Sequence, residues 1–421
     1  MTTVTPALSR RLVLNWRNAL FAVFALCGLS MASWAARIPA VRVALDASPS
    51  QIGILLFGIA AGSIVGLLAS SHIIARFGAR HTIVGVLTTG AVGFAIAGVG
   101  ATVSPNFAVI EIGLIIFGIC FSICDVAMNL QGAVNERMLG RSIMPIFHAF
   151  FSFGTIVGAA LGAGAEAIHL SIAVHLGIIA AILFGGSIVA VRFLQSEHAA
   201  DEQNATTTEE DHHAKTWRGR LSIWRDPRTL LIGVIVLGMA FAEGSANDWL
   251  ALAMVDGHDT SKPTGALIFG VFVTAMTVGR LSGVKLLDRF GRVPVLRGSA
   301  LLAAIGLAMV IFVPTLWISI VGVVFWGLGA SLGFPVGMSA AADDPKTAAA
   351  RVSAVATIGY FAFLVGPPVI GFLADHVGLL HALTVVPVLI VIAGVASGAA
   401  RERGSRAPAE LPTDDPADAQ I

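Results

Sequence analysis

The sequence predicts an all-α membrane protein whose twelve transmembrane helices form two pseudo-symmetric six-helix bundles. Three observations predict it. Hydrophobic residues make up 56% of the 421-residue chain and charged residues only 12%, against roughly 25% charged in a soluble domain; the mean hydropathy is +0.85. Apolar runs of about 20 residues, the length that crosses a bilayer as a helix, recur along the chain, and in lipid such continuous runs satisfy their backbone only as helices. The third observation is a repeat. Gly283–Arg292 reads GVKLLDRFGR and Ser71–Arg80 reads SHIIARFGAR, so Arg289-Phe290-Gly291 repeats Arg76-Phe77-Gly78 after 213 residues. Each copy follows the second long apolar run of its half. Duplicated halves are a common plan among transporters.

The spans fall near 18–36, 51–71, 83–103, 107–130, 147–165, 170–191, 229–251, 264–284, 296–313, 317–338, 351–374 and 378–398. The first follows Arg10, Arg11 and Arg17, a pattern shared with secretory signals. Its apolar stretch has the length of a full span and many spans follow, so it reads as a retained helix. The division is then 1–194 for the first bundle, 195–228 for a linker, 229–400 for the second bundle and 401–421 for a disordered tail. Residues 195–217 are polar and acidic and cannot bury enough apolar surface to fold. Within the linker, 217–228 alternates Trp217, Leu221, Ile223 and Trp224 with arginines, the composition of a short interfacial helix.

Small residues mark packing seams. Gly58, Gly62 and Gly66 recur every fourth residue in the second span, and Gly154, Gly158 and Gly162 in the fifth, a spacing that lets membrane helices approach closely. Pro367 and Pro368 in the eleventh span remove backbone donors and imply a bend. Cys27, Cys120 and Cys124 lie inside apolar runs and read as small buried hydrophobes, not as a disulfide framework or a metal site. No cofactor is expected, and the net charge of +1 gives no basic domain for nucleic acid. Orientation follows the positive-inside rule. Of the 26 Lys and Arg, only Arg37, Arg42 and Lys262 fall on one side, Arg280 lies within a span, and the rest fall on the other. Both termini and the linker are thus expected in the cytoplasm.

Ionisable groups inside a membrane are costly and ask for a reason. Here they are Glu111 and Asp125 in the fourth span, Glu243 and Asp248 in the seventh, and Arg280 in the eighth. Asp125 with Asn129, and Glu243 with Asn247, stand four residues apart and share a helix face. Asp125 and Glu243 sit deep enough to serve a solute or a proton, or to act only as buried polar groups that fix helix register. Glu111 and Asp248 lie nearer the outside. His148 opens the fifth span, and an imidazole with an ordinary pKa near ~6.5 can carry protons. Arg280 is expected to snorkel toward the cytoplasmic end and meet gate carboxylates there. Trp34, Trp249 and Trp326, on spans one, seven and ten, offer aromatic faces to a polyhydroxylated solute or simply fill helix interfaces.

The repeated string resembles motif A of the major facilitator superfamily, the turn between helices two and three and again between eight and nine. The second copy keeps Asp288, Arg289, Gly291 and Arg292. The first keeps Arg76, Gly78 and Arg80 but has Ala75 and Ala79 where an acidic and a basic residue would stand. DVAMNLQGAVNERMLGR from Asp125, FHAFFSFG from Phe147, AEGSANDW from Ala242 and GYFAFLVGPPVIGFLAD from Gly359 resemble one bacterial branch, the YbjJ-like inner-membrane transporters related to sugar permeases. The resemblance implies the major facilitator fold, with spans one, four, seven and ten lining a central cavity, and a gate at the motif turns in which Asp288 engages Arg289, Arg292 or a helix N-terminus. The fourth span lacks the arginine, and the fifth the Gly-Pro motif, usual in drug–proton antiporters of the superfamily.

The expected function is secondary transport of a small polar, sugar-like solute across the bacterial inner membrane by alternating access, coupled to protons through Asp125 or Glu243, by a monomer in the bilayer. No GxxxxGK loop points to ATP hydrolysis, and no nucleophile–base or metal constellation points to an enzyme. The alternatives are efflux of an amphiphilic metabolite or drug, and a sensor or scaffold that kept the fold.

Overall fold

A computed structural model describes residues 9–103, 105–139, 143–195, 223–343 and 347–402. Most of the linker and the tail after 402 lie outside them. The described residues are helical almost throughout. Eleven segments are long and apolar enough to cross a membrane, and one of these is two spans in one. Pro49–Thr102 contains 54 residues, about 80 Å at the α-helical rise of about 1.5 Å per residue, more than twice a bilayer core. It breaks at Gly78, where φ is 72° and ψ 152°. Twelve crossings result.

The first bundle holds Arg10–Ala35, the two limbs of Pro49–Thr102, Phe107–Leu139, Met144–Ala167 and Ile172–Val191. A short helix, Ile38–Leu45, packs between the first and second crossings. The second bundle holds the interrupted seventh span from Pro227 to Gly257, then Lys262–Phe290, Arg292–Phe312, Leu316–Ala330 with Gly333–Ala341, Ala348–Val377, and a last span from Leu379 to Ala400.

The repeat seen in the sequence extends to the backbone. Gly291, between spans eight and nine, has φ 74° and ψ 171°, close to the values at Gly78. A φ near +75° with extended ψ is open almost only to glycine, so both motif turns rest on the same conformation. Packing repeats as well. A Cβ at Gly93 in span three would stand 2.7 Å from the Gly113 carbonyl oxygen in span four, and one at Gly322 in span ten 2.6 Å from that of Gly306 in span nine. Gly93 and Gly306 are again 213 residues apart. Glycine there lets the backbones touch, which supplies the dispersion contacts that hold helices together in lipid. Gly62 meets Ile115 of span four in the same way, with 2.5 Å left for a Cβ. Pro367 and Pro368 lie inside Ala348–Val377, which continues through both.

Buried polar side chains tie span ends. At the end of the first bundle that carries Gly78, hereafter the turn end, Trp16 Nε1 donates to Gln131 Oε1 at 2.6 Å and Asn135 Nδ2 to the Val13 carbonyl at 3.0 Å. The Glu136 carboxylate accepts from the N–H groups of Ile143 and Met144, both at 2.7 Å, which caps span five where a helix dipole favours negative charge. At the opposite, far end Arg37 pairs with Glu166 at 2.9 Å. Both are buried; burial pushes the Arg37 guanidinium below its ordinary value and Glu166 opposes it.

A candidate solute cavity between the two bundles

A cavity of about 220 Å³ lies between the bundles. Span one contributes Met31 and Trp34, span two Leu56, Ile59, Ser63 and Leu67, and span four Phe121, Ser122 and Asp125. From the second bundle come Asn247 and Asp248 of span seven and Tyr360 and Phe363 of span eleven. The expected set of spans one, four, seven and ten is thus corrected: spans two and eleven line this cavity and span ten does not. Helices two and eleven also touch at the far end, where Gly53 meets Pro367 and Gly371 meets Pro49.

Local structure explains the two carboxylates. Asn129 Nδ2 donates to Asp125 Oδ1 at 3.1 Å and to the Asp125 carbonyl at 2.8 Å, so the expected shared face holds. Asn247 and Asp248 stand on a π-helical segment, Ala246–Leu250, inserted between Pro227–Ser245 and Ala251–Gly257. The wider π turn shifts the side-chain register, and such insertions are frequent at functional sites. Among the described residues Asp248 has neither a hydrogen bond nor an ion pair.

The other expected residues lie elsewhere. Glu243 is a pairing partner: Arg280 donates to its carboxylate at 2.8 Å. Arg280 therefore meets a carboxylate of span seven and not one of the motif turns, because that acid is within its reach. His148 of span five is exposed and its ring lies 5.3 Å from that of Phe24 of span one. Glu111 lies against Gly58 in the seam between spans two and four, its Oε2 buried without a hydrogen-bond partner. Trp326 is fully buried and donates from Nε1 to the Ala242 carbonyl at 3.1 Å, so it fills a helix interface. Trp249 is also fully buried, and only Trp34 of the three tryptophans lines the cavity. Tyr360, Phe121 and Ser122 were not singled out in the sequence; Tyr360 is the chain's one tyrosine, and that rarity was the available signal.

At the turn end, Arg76 and Arg289 stack over Phe77 and Phe290 at 5.7 and 5.3 Å. Arg80 Nε donates to the Val191 carbonyl at 3.1 Å. Arg292 meets Asp343 at 2.6 Å, and Arg228 meets the other oxygen of the same carboxylate at 2.9 Å. The acidic partners of Arg292 are thus Asp343, after span ten, and at 4.0 Å Glu402; Asp288 is exposed and has no ion pair among the described residues. Asp226 caps span seven and pairs with Arg351 at 3.0 Å. Burial works against its charge, but Thr229, Arg351 and two backbone N–H groups outweigh burial and hold its carboxyl below the ordinary range.

The two bundles meet most closely at the far end. Arg42 of Ile38–Leu45 forms an ion pair with Asp256 of span seven. The Ser50 hydroxyl and N–H both donate to Asp375 of span eleven. A Cβ at Gly53 would stand 2.7 Å from the Pro367 carbonyl oxygen, and one at Gly371 2.6 Å from that of Pro49. Among the described residues every hydrogen bond and ion pair between the bundles lies at this end. Among them, too, no group of three His, Cys, Asp or Glu side chains is placed to hold a metal, and Cys27, Cys120 and Cys124 are buried and free.

Two six-helix halves around a central polar-and-aromatic cavity define a solute carrier of the multi-pass membrane class. The sequence profile of the Major Facilitator Superfamily matches residues 18–281 and 244–417. The chain belongs to that superfamily, and so is a transporter and not an enzyme. It is 31% identical over 370 residues to an uncharacterized MFS-type transporter of Yersinia pestis, covering 87% of this chain and 91% of that one. It is 30% identical over 392 residues to an uncharacterized transporter of Sinorhizobium fredii, covering 90% and 99%. The crystal structure of the nucleoside transporter NupG shares the fold, with a TM-score of 0.70 at 16% identity over 92% of this chain and 98% of that one.

Proposed function

We propose that this chain moves a small polar solute across the bacterial inner membrane by alternating access, coupled to protons, with its termini and the turn end in the cytoplasm. The observation that carries this reading is the cavity itself: one carboxylate from each bundle, Asp125 and Asp248, lines one shared space while the bundles are clasped at the far end. Rocking the bundles about such a space would expose the same carboxylates to each side in turn. A carboxylate that meets both aqueous phases can take a proton from one and give it to the other.

The positive-inside bias supports the orientation, and the clasp at the far end is then the closed periplasmic gate of a cytoplasm-facing state. Motif residues Arg76, Gly78, Asp288, Arg289, Gly291 and Arg292 would form the opposing gate. Asp125 is the preferred proton carrier, since Asn129 holds it in place and no cation pairs with it among the described residues. Glu243 is a weaker choice because Arg280 already pairs with it. The same geometry supports transport by a monomer, since each cavity is completed within one chain. The test is a screen of sugars, amines and organic acids for a rise in the melting temperature of the purified protein. Uptake of the best solute into proteoliposomes, with and without an imposed pH gradient, then follows. Gradient-dependent accumulation is expected; accumulation that ignores the gradient would contradict proton coupling.

A further inference from the structure

We infer that the solute carries a positive charge: the cavity is built for a small organic cation, an ammonium group on a compact, partly hydroxylated body. This rests on the proposal that the cavity is the solute site. Its walls hold two carboxylates, Asp125 and Asp248, and no lysine, arginine or histidine. The intramembrane guanidinium, Arg280, is held by Glu243 at 2.8 Å. Asp248 has no partner among the described residues. A charge placed in a low-dielectric site without a counter-charge is strongly disfavoured, so Asp248 either keeps a proton or takes a cation from outside the protein.

The aromatic walls point the same way. Trp34, Phe121, Tyr360 and Phe363 surround the space from both bundles, and aromatic faces attract ammonium groups, quaternary ones above all. A further observation concerns the rest of the solute. Trp34 is 2% exposed and its indole Nε1–H is buried with no hydrogen-bond partner among the described residues. Tryptophan N–H groups normally find a partner when buried, and a hydroxyl oxygen on the solute would supply one. Asn247, Ser122 and the Tyr360 hydroxyl can serve further hydroxyls. The volume of about 220 Å³ suits a body of that small size.

The experiment uses pairs of equal shape and different charge. Choline and its neutral isostere 3,3-dimethylbutan-1-ol, and ethanolamine and propan-1-ol, are titrated into the purified full-length protein while melting temperature and tryptophan fluorescence are followed. No gradient is present, so the result does not depend on proton coupling. The expected result is that at least one cation acts at a concentration at least about tenfold below its neutral partner, the factor that a single modest charge interaction supplies. Asp248→Asn is expected to erase that preference while leaving the response to the neutral isostere in place. Asp125→Asn serves as the second variant if Asp248→Asn does not fold, and Trp34→Phe should weaken choline and its isostere alike. Equal responses within each pair, or a response to the neutral members alone, would overturn the inference, as would silence from both cations. Proton-driven uptake of a neutral solute would then show that the transport proposal survives without it.

Discussion

The guanidinium of Arg280 lies 2.8 Å from the carboxylate of Glu243, joining spans eight and seven. The pair is partly wet, with the two side chains 33% and 17% exposed. Its net value therefore falls between the ~0.2–1 kcal/mol of exposed pairs and the 3–5 kcal/mol lost when one partner of a buried pair is removed. Glu243→Gln and Arg280→Gln are each expected to destabilise the protein, and the double variant less than their sum, with a coupling of about 1–2 kcal/mol. Thermal unfolding of the four proteins in one detergent checks it; additive losses would mean that the contact contributes nothing.

Gly291 sits at φ 74° and ψ 171° with nothing within 4 Å of where a Cβ would be. Substitution there meets a conformational penalty and no clash. Gly291→Ala is expected to cost about 1–3 kcal/mol. Gly85→Ala, at a helical position equally open, should be neutral or stabilising by up to about 1 kcal/mol. Melting temperatures of the two variants decide; equal effects would contradict the account of the motif turn.

The far-end clasp rests on close backbone approach, since a Cβ at Gly371 would stand 2.6 Å from the Pro49 carbonyl oxygen. Gly371→Ala should hinder closure and shift the population toward the state open at that end. Leu56 lines the cavity, so Leu56→Cys reports access. A membrane-impermeant maleimide applied from the periplasm should label it several-fold faster with Gly371→Ala present. An unchanged rate would show that this contact does not set the gate.

The proposed orientation puts the linker in the cytoplasm and the end of span seven in the periplasm. A reporter active only in the periplasm should be silent when fused after Ala214 and active when fused after Gly257. The reverse pattern would invert the orientation.

Much of this architecture was legible in the sequence, and the reasons are physical. Lipid demands about 20 apolar residues per crossing, so the spans stand out as runs, and the Arg-Phe-Gly repeat places the halves because both turns need glycine at positive φ. The rotation of each helix was not legible. In a soluble helix the apolar stripe marks the buried face, but in a bilayer the lipid-facing and protein-facing sides are both apolar. Hence the part of spans two and eleven in the cavity, the burial of Trp326 and the pairing of Glu243 with Arg280 emerged only from packing. The π turn at Ala246–Leu250 has no local signature either; it sets where Asp248 points. The linker and its suggested interfacial helix near 217–228 fall largely outside the described residues.

The central claim is that a cavity carboxylate couples proton movement to solute movement, and proton flux reports on it most directly. Proteoliposomes loaded with a pH-sensitive dye, and given a gradient of the solute that most raises the melting temperature, should change internal pH as the solute flows. Asp125→Asn should abolish the pH change while solute still exchanges down its gradient. If the variant moves protons with the solute as the unaltered protein does, Asp125 is not the coupling residue; if the unaltered protein moves solute with no pH change, the coupling to protons is wrong.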